Sequence, residues 1–161
     1  MKDLEAFATS ELSEEGVVIP LRDVEGKETE HWIKIRGTDS TPFKKSQSRF
    51  RRKIVALTEL EDSDKDIDTT FKIEEETRIL LSSLVVDWSF KNDDGSPYPC
   101  SVKNIKEVLE KAPVLAQEID EASAKRKNFT KRNLTKSETS QEKNLSSTKS
   151  QKIAKSRKLT T

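Results

Sequence analysis

The sequence predicts an α+β fold that is mainly α, with an N-terminal β-hairpin packed on about four helices and a disordered basic C-terminal tail. Residues 17–21 are a β-branched run and residues 31–36 alternate apolar with polar side chains, both of which are typical of strands, and apolar residues follow a helical spacing between residues 43 and 129. The chain has 161 residues, of which 32% are apolar and 37% charged. This composition favours a single ordered domain with polar extensions. We expect a flexible acidic arm over 1–15, the domain over 16–129 and the tail over 130–161.

The charge is divided between the body and the tail. Residues 125–161 contain 12 basic and two acidic residues, a net charge of +10, whereas the other 124 residues contain 18 basic and 27 acidic residues, a net charge of −9. The tail is dominated by Lys, Ser and Thr. It has too few apolar side chains to offset the entropy lost on ordering, and we expect it to be disordered.

The hairpin is predicted from two short segments. Residues 17–21 form a β-branched run that contains Pro20, and a proline limits a strand to the edge of a sheet. Residues 23–27 supply a turn. In residues 31–36, Ile33 and Ile35 fall on one face, and the opposite face carries Trp32, Lys34 and Arg36. A hairpin alone is only marginally stable in water, so we expect it to pack on the helices.

The first long helix is predicted after residues 37–40, where Asp39 or Ser40 can accept hydrogen bonds from its free N–H groups. Its apolar stripe is Phe43, Phe50, Ile54 and Leu57. Its other face is basic and consists of Lys44, Lys45, Arg49, Arg51, Arg52 and Lys53. The acidic residues 58–70 indicate a solvated loop.

The next helix is predicted to begin near Phe71 and to lie at the centre of the fold, because residues 79–90 are apolar on nearly every side. Periodicity leaves open whether residues 85–90 are helix or strand. Residues 92–99 indicate a loop, and Ser101 can cap a third helix. Pro113 ends that helix or starts a fourth, which we expect to extend to about residue 128.

Signatures of catalysis and of ligand binding are not found. His31 is the only histidine, and neither a serine nor a cysteine lies near it in sequence to form a nucleophile pair. Cys100 is the only cysteine, which excludes an internal disulfide and a multi-cysteine zinc site. The four glycines are too far apart for a nucleotide-binding loop, and the acids of 59–68 lack the glycine and glutamate of a calcium loop. We therefore expect a non-enzymatic protein without cofactor or metal.

Two segments could bind polyanions. The basic helix face could neutralise phosphates, but the neighbouring acidic segment can fold back and cancel its charge, and we favour a solvated face. The tail is the better candidate for weak, salt-dependent polyanion binding. No apolar run approaches the length of a membrane span, and the amino terminus, residues 1–5, has no signal-peptide character. We therefore expect a cytosolic protein without a membrane partner.

A series of short segments resembles the tail assembly chaperones of long-tailed bacteriophages. They are residues 32–39 (WIKIRGTD), 84–90 (LVVDWSF), 101–102, Leu109, Ala112-Pro113, Leu115, 119–120 and 126–129 (RKNF). The resemblance covers about residues 30–129. The tail beyond Phe129 and the acidic segment at 58–70 depart from the family pattern.

The resemblance implies a helper that binds the long, helical tape measure protein, keeps it soluble and helps to recruit tail tube protein. It would act in the cytoplasm of the host bacterium and be absent from the mature virion. A frameshifted longer product of the same gene and a second copy of this chain are further candidate partners. The alternative is a structural or nucleic-acid-associated phage protein that acts through the basic tail.

The predicted protein-binding site is an apolar groove between the central helix and the hairpin face that carries Trp32. An amphipathic helix is the kind of client that fits such a groove. The residues predicted to form it are Trp32, Lys34, Arg36, Leu80, Leu84 and Trp88.

Overall fold

The computed structural model describes residues 8–59 and 66–130. The elements are α1 (Ser10–Glu15), β1 (Val17–Arg22), β2 (Glu28–Ile35), α2 (Thr41–Glu59), α3 (Asp66–Ser82), β3 (Val85–Trp88), α4 (Val102–Lys111), α5 (Pro113–Ala124) and a 3-10 turn (Arg126–Asn128). The predicted α+β, mainly α fold is confirmed. Residues 1–7 of the predicted arm and 131–161 of the predicted tail lie outside the described residues.

The three strands form one antiparallel sheet in the order β1-β2-β3. β1 is at an edge, and Pro20 lies opposite Trp32 in the register. The predicted edge strand is therefore confirmed. In the turn between β1 and β2, Asp23 Oδ1 accepts hydrogen bonds from the backbone N–H groups of Glu25 and Lys27, at 3.0 and 2.9 Å. Gly26 follows with a φ of 82°, a conformation that favours glycine.

The segment after the central helix forms a strand, β3. α3 ends at Ser82, and after a turn Val85 pairs with Ile35 and Trp88 with Ile33. Residues 85–88 are therefore strand. The predicted central helix is shorter at this end than the apolar run suggested, because a strand buried against the core is as apolar as a buried helix.

The prediction of a flexible arm over 1–15 is wrong for residues 10–15, which form α1. Ser13 is buried, and Leu12 packs against the hydrophobic core. The backbone N–H of Gly37 donates to the Ser13 carbonyl at 3.0 Å. This short helix is held by tertiary contacts, which the polar composition of the segment does not indicate.

The N-terminus of α2 is capped from another element. The N–H of Thr41 donates to Glu14 Oε2 at 2.7 Å, so the acceptor is neither Asp39 nor Ser40. Phe43 is buried and Phe50, Ile54 and Leu57 are half-buried, which agrees with the predicted apolar stripe.

The predicted acidic loop at 58–70 is too long. Residues 58 and 59 belong to α2, and α3 begins at Asp66, five residues earlier than predicted. Acidic residues are favourable in the first turn of a helix, because the helix dipole is positive there, so an acidic composition does not exclude a helix start. Only residues 60–65 remain between the two helices.

The last helices follow the predicted signals. Ser101 caps α4, and its Oγ accepts from the N–H of Asn104 at 3.2 Å. Pro113 begins α5, which ends at Ala124 rather than near residue 128, and the 3-10 turn follows. The buried apolar residues form one core between the sheet and the helices. They are Val17, Leu21, Ile33, Ile35, Phe43, Leu81, Leu84, Val85, Trp88, Ile105, Leu109, Ile119 and Phe129.

Candidate protein-binding surface

The sheet has two unlike faces because successive strand residues point in opposite directions. The face toward the helices is apolar and buried, and includes Ile33, Ile35 and Trp88. The opposite face is formed by residues of the three strands that point the other way. They are Val18, Pro20, Trp32, Lys34 and Asp87. We call these five residues the open sheet face, since none of them is buried.

The open sheet face has an apolar centre and charged neighbours. Trp32 and Val18 are half-buried and lie on adjacent strands, and exposed Pro20 is the register partner of Trp32. Lys34 is the register partner of both Val18 and Asp87, which places opposite charges at one end of the apolar patch. An apolar centre with a charged rim is the usual anatomy of a protein-binding surface.

Trp32 is held on this face by its backbone. Its N–H donates to Ser89 Oγ at 2.8 Å, and its carbonyl accepts from the N–H of Ser89 at 3.1 Å. These bonds continue the pairing of β2 with the chain beyond β3. The backbone of Trp32 is therefore hydrogen-bonded on the β3 side, while Pro20 of β1 is its register partner on the other side.

Arg36 is engaged elsewhere. Its Nε donates to the carbonyl of Glu14 at 3.3 Å, and its N–H donates to the carbonyl of Leu84 at 2.7 Å. The guanidinium therefore anchors the C-terminal end of α1. Of the three hairpin residues in the predicted site, Trp32 and Lys34 belong to the open sheet face.

The other half of the predicted groove lies in the core. Leu84 is 0% and Trp88 6% exposed, and Leu80 is half-buried against the core. Trp88 stacks on Tyr98 with ring centroids 5.7 Å apart, and its Nε1 donates to the Tyr98 carbonyl at 2.7 Å. Because Trp32 and Trp88 lie on opposite faces of the sheet, the predicted single groove between them is not present.

Sequence reasoning missed the other members of the open sheet face. Val18, Pro20 and Asp87 join Trp32 only through the register of three strands. The alternation of residues 31–36 is the available signal for β2, but periodicity does not distinguish helix from strand at residues 85–88, so the sequence does not place Asp87.

Cys100 lies near the edge of the sheet and is half-buried. Burial and the negative charge of Asp87 raise the pKa of its thiol to about 11. The thiol is therefore protonated at neutral pH and is a poor nucleophile.

Metal-binding clusters and membrane-spanning helices are absent from residues 8–59 and 66–130. Within residues 8–59 and 66–130, no three side chains of His, Cys, Asp or Glu are grouped so that they could hold a metal ion. The helices of the same part of the chain include none that is long and apolar enough to span a bilayer.

No family model, curated protein or solved structure matches this chain. The resemblance to tail assembly chaperones, and with it the expected partners, therefore stays a prediction.

Proposed function

We propose that this protein is a non-enzymatic chaperone of phage tail assembly, which binds the tape measure protein through the open sheet face. The observation that carries this proposal is a half-buried tryptophan, Trp32, at the centre of a sheet face on which no residue is buried. Tryptophans in such positions are frequent anchors of protein interfaces.

The shape and charge of the face suit a helical client. A flat apolar patch bordered by Lys34 and Asp87 can receive the apolar side of an amphipathic helix, while the charged pair contacts its polar border. A single patch of this size supports a weak contact. Contacts between neighbouring copies of this chain along one long tape measure protein would raise the effective concentration of each further copy, so that a modest affinity for each single contact suffices.

The proposal includes the partners and location that the resemblance implies. The tape measure protein is the client, and tail tube protein is recruited around the complex in the host bacterial cytoplasm. The chaperone would then be left out of the mature virion.

The test is co-expression of the full chain with the tape measure protein encoded nearby. We expect the wild-type chain to raise the soluble fraction of the client and to co-purify with it. Trp32→Thr keeps a strand-forming residue but removes the anchor, and we expect it to weaken the complex about thirtyfold, the effect of losing about 2 kcal/mol at an interface hot spot.

The matched control is His31→Thr, the neighbouring strand residue, whose side chain points away from the open sheet face and contacts Phe90 at a ring distance of 5.6 Å. This variant should retain the client. Equal precipitation of the client with and without the wild-type chain would refute the chaperone function. Retained binding by Trp32→Thr would refute the assignment of the surface.

A further inference from the structure

The outward side of α2 is strongly basic. Lys44, Lys45, Arg49, Arg51 and Arg52 are all exposed, and we call these five residues the basic face. Lys45, Arg49 and Arg52 are spaced by four and three residues, so they form one stripe along the helix. With 19 residues, α2 is about 28 Å long, and the basic face lies between its fourth and its twelfth residue.

Acidic residues of the neighbouring helix do not neutralise the basic face. On α3, Glu74 pairs with Arg78 and Glu75 with Lys106, while Glu76 pairs with Lys53, the sixth basic residue of α2. In the part of the chain that the structure describes, no ion pair involves a residue of the basic face. Among the described residues, these five positive charges therefore lie on one side of α2 without an ion-pair partner, although Lys44 is near enough to Asp39 to help lower the pKa of that carboxyl.

Residues 60–65, the acidic segment after α2, lie outside the described residues. At a rise of 1.5 Å per residue, Glu59 lies about 15 Å along the helix from Arg49 and about 21 Å from Lys45. The cancellation of charge by this segment, expected from the sequence, stays a prediction.

We propose that the basic face of α2 binds the phosphate backbone of nucleic acid without reading the base sequence. The face lacks an apolar centre: Val55, its exposed apolar neighbour, lies beyond Arg52 toward the C-terminal end of α2. Protein interfaces have such a centre, whereas nucleic-acid interfaces are polar and strongly positive. Three of the five residues are arginines, whose guanidinium groups bind phosphate oxygens in pairs. Arg52 Nε donates to the Ser48 carbonyl at 3.2 Å, which leaves its two terminal nitrogens for phosphate. This inference concerns a different surface from the proposed chaperone function and does not depend on it.

The test uses the full chain and a mixed-sequence DNA duplex of about 20 bp, with binding followed by fluorescence anisotropy over a range of salt concentrations. The variant Lys45→Gln, Arg49→Gln, Arg52→Gln removes the stripe and retains good helix formers. We expect the slope of log affinity against log salt to fall by about 3, one for each lost phosphate contact, and the affinity at ~50 mM salt to fall more than tenfold.

The matched control removes the same charge from the C-terminal segment by Lys149→Gln, Lys152→Gln and Lys155→Gln. We expect it to lose less than half as much slope. An equal loss in the two triple variants would overturn the proposal, since it would indicate attraction by net charge alone. An unchanged slope in the α2 variant would overturn it as well.

Two further measurements separate the proposal from unfolding of the variant and from binding of an acidic polypeptide. Should the triple variant unfold, Arg49→Gln alone must still lower the slope by about 1. Tighter binding of polyglutamate than of the duplex, at equal ligand charge and salt, would overturn the proposal in favour of an acidic polypeptide.

Discussion

Gly37 lies at a point where three segments of the chain meet. Its N–H donates to the carbonyl of Ser13, and a Cβ atom at this position would lie 2.5 Å from Ser13 Oγ and 3.1 Å from Phe129 Cδ2. Distances this short require the neighbours to move. Glycine is therefore needed here for the close approach of α1 and of the C-terminal residues of the body.

We expect Gly37→Ala to lower the free energy of unfolding by about 1–3 kcal/mol, the usual cost of inserting a methyl group into a packed site. Urea denaturation measures this directly. In a Ser13→Ala background the nearest atom is gone, so the same substitution should cost less. An equal cost in the two backgrounds would show that the strain arises elsewhere.

At the scale of elements, Asp39 links three segments that are distant in sequence. Its Oδ2 accepts from Thr9 Oγ1 at 2.7 Å and from Arg126 Nε at 2.9 Å, and its Oδ1 accepts from Arg126 Nη2 at 3.2 Å. The hydrogen bonds from Arg126 and then from Thr9 hold the pKa of Asp39 below its usual value of 3.8. The carboxylate therefore ties the chain before α1 and the 3-10 turn to the start of α2.

A lowered pKa in the folded state predicts a loss of stability in acid. The stabilisation from Asp39 is fully present above about pH 4, the pKa of an unfolded aspartate, and is lost as the pH falls through the lower folded value. We expect the difference in unfolding free energy between the wild type and Asp39→Asn to shrink between pH 5 and pH 2. Asp93→Asn is the control, since Asp93 is exposed and has no ion pair within the described residues. A difference that does not change with pH would contradict this role of the carboxylate.

Local signals predicted the elements well where the physical cause is local. Pro20 placed β1 at an edge, Ser101 capped α4, and the alternation of Ile33 and Ile35 identified the buried side of β2. The errors have tertiary causes. α1 is stabilised by packing on the core, and α2 is capped by Glu14, a residue 27 positions before Thr41.

In the candidate site, too, features with a local cause are predicted from the sequence and features with a tertiary cause are not. Alternation within one strand correctly separated Trp32 from Ile33. Whether Trp88 lies on the same side as Trp32 depends on residues 85–88 being a strand and on their register with β2. The apolar composition of this segment, which is buried on the core side, indicates neither its secondary structure nor its register with β2.

At the scale of the whole molecule, the two ends of the described body meet. Phe129 is 1% exposed and packs beside Gly37, close to α1, while Arg126 pairs with Asp39. The two ends of the described body are therefore in contact near Phe129. At this residue the composition changes from amphipathic to Lys/Ser/Thr-rich. A domain boundary near residue 129 stays a prediction.

The boundary can be tested with two matched substitutions and one truncation. We expect Phe129→Ala to lower the free energy of unfolding by about 3–5 kcal/mol, because it leaves a cavity at a fully buried site. Phe71→Ala removes the same atoms from a residue that is 62% exposed, and its effect should stay within about 0.5 kcal/mol. Removal of residues 131–161 should also change the unfolding free energy by no more than about 0.5 kcal/mol, since that segment is too polar to bury apolar area. A truncated chain as unstable as Phe129→Ala would move the domain boundary into the C-terminal segment, and urea unfolding of the four proteins distinguishes these outcomes.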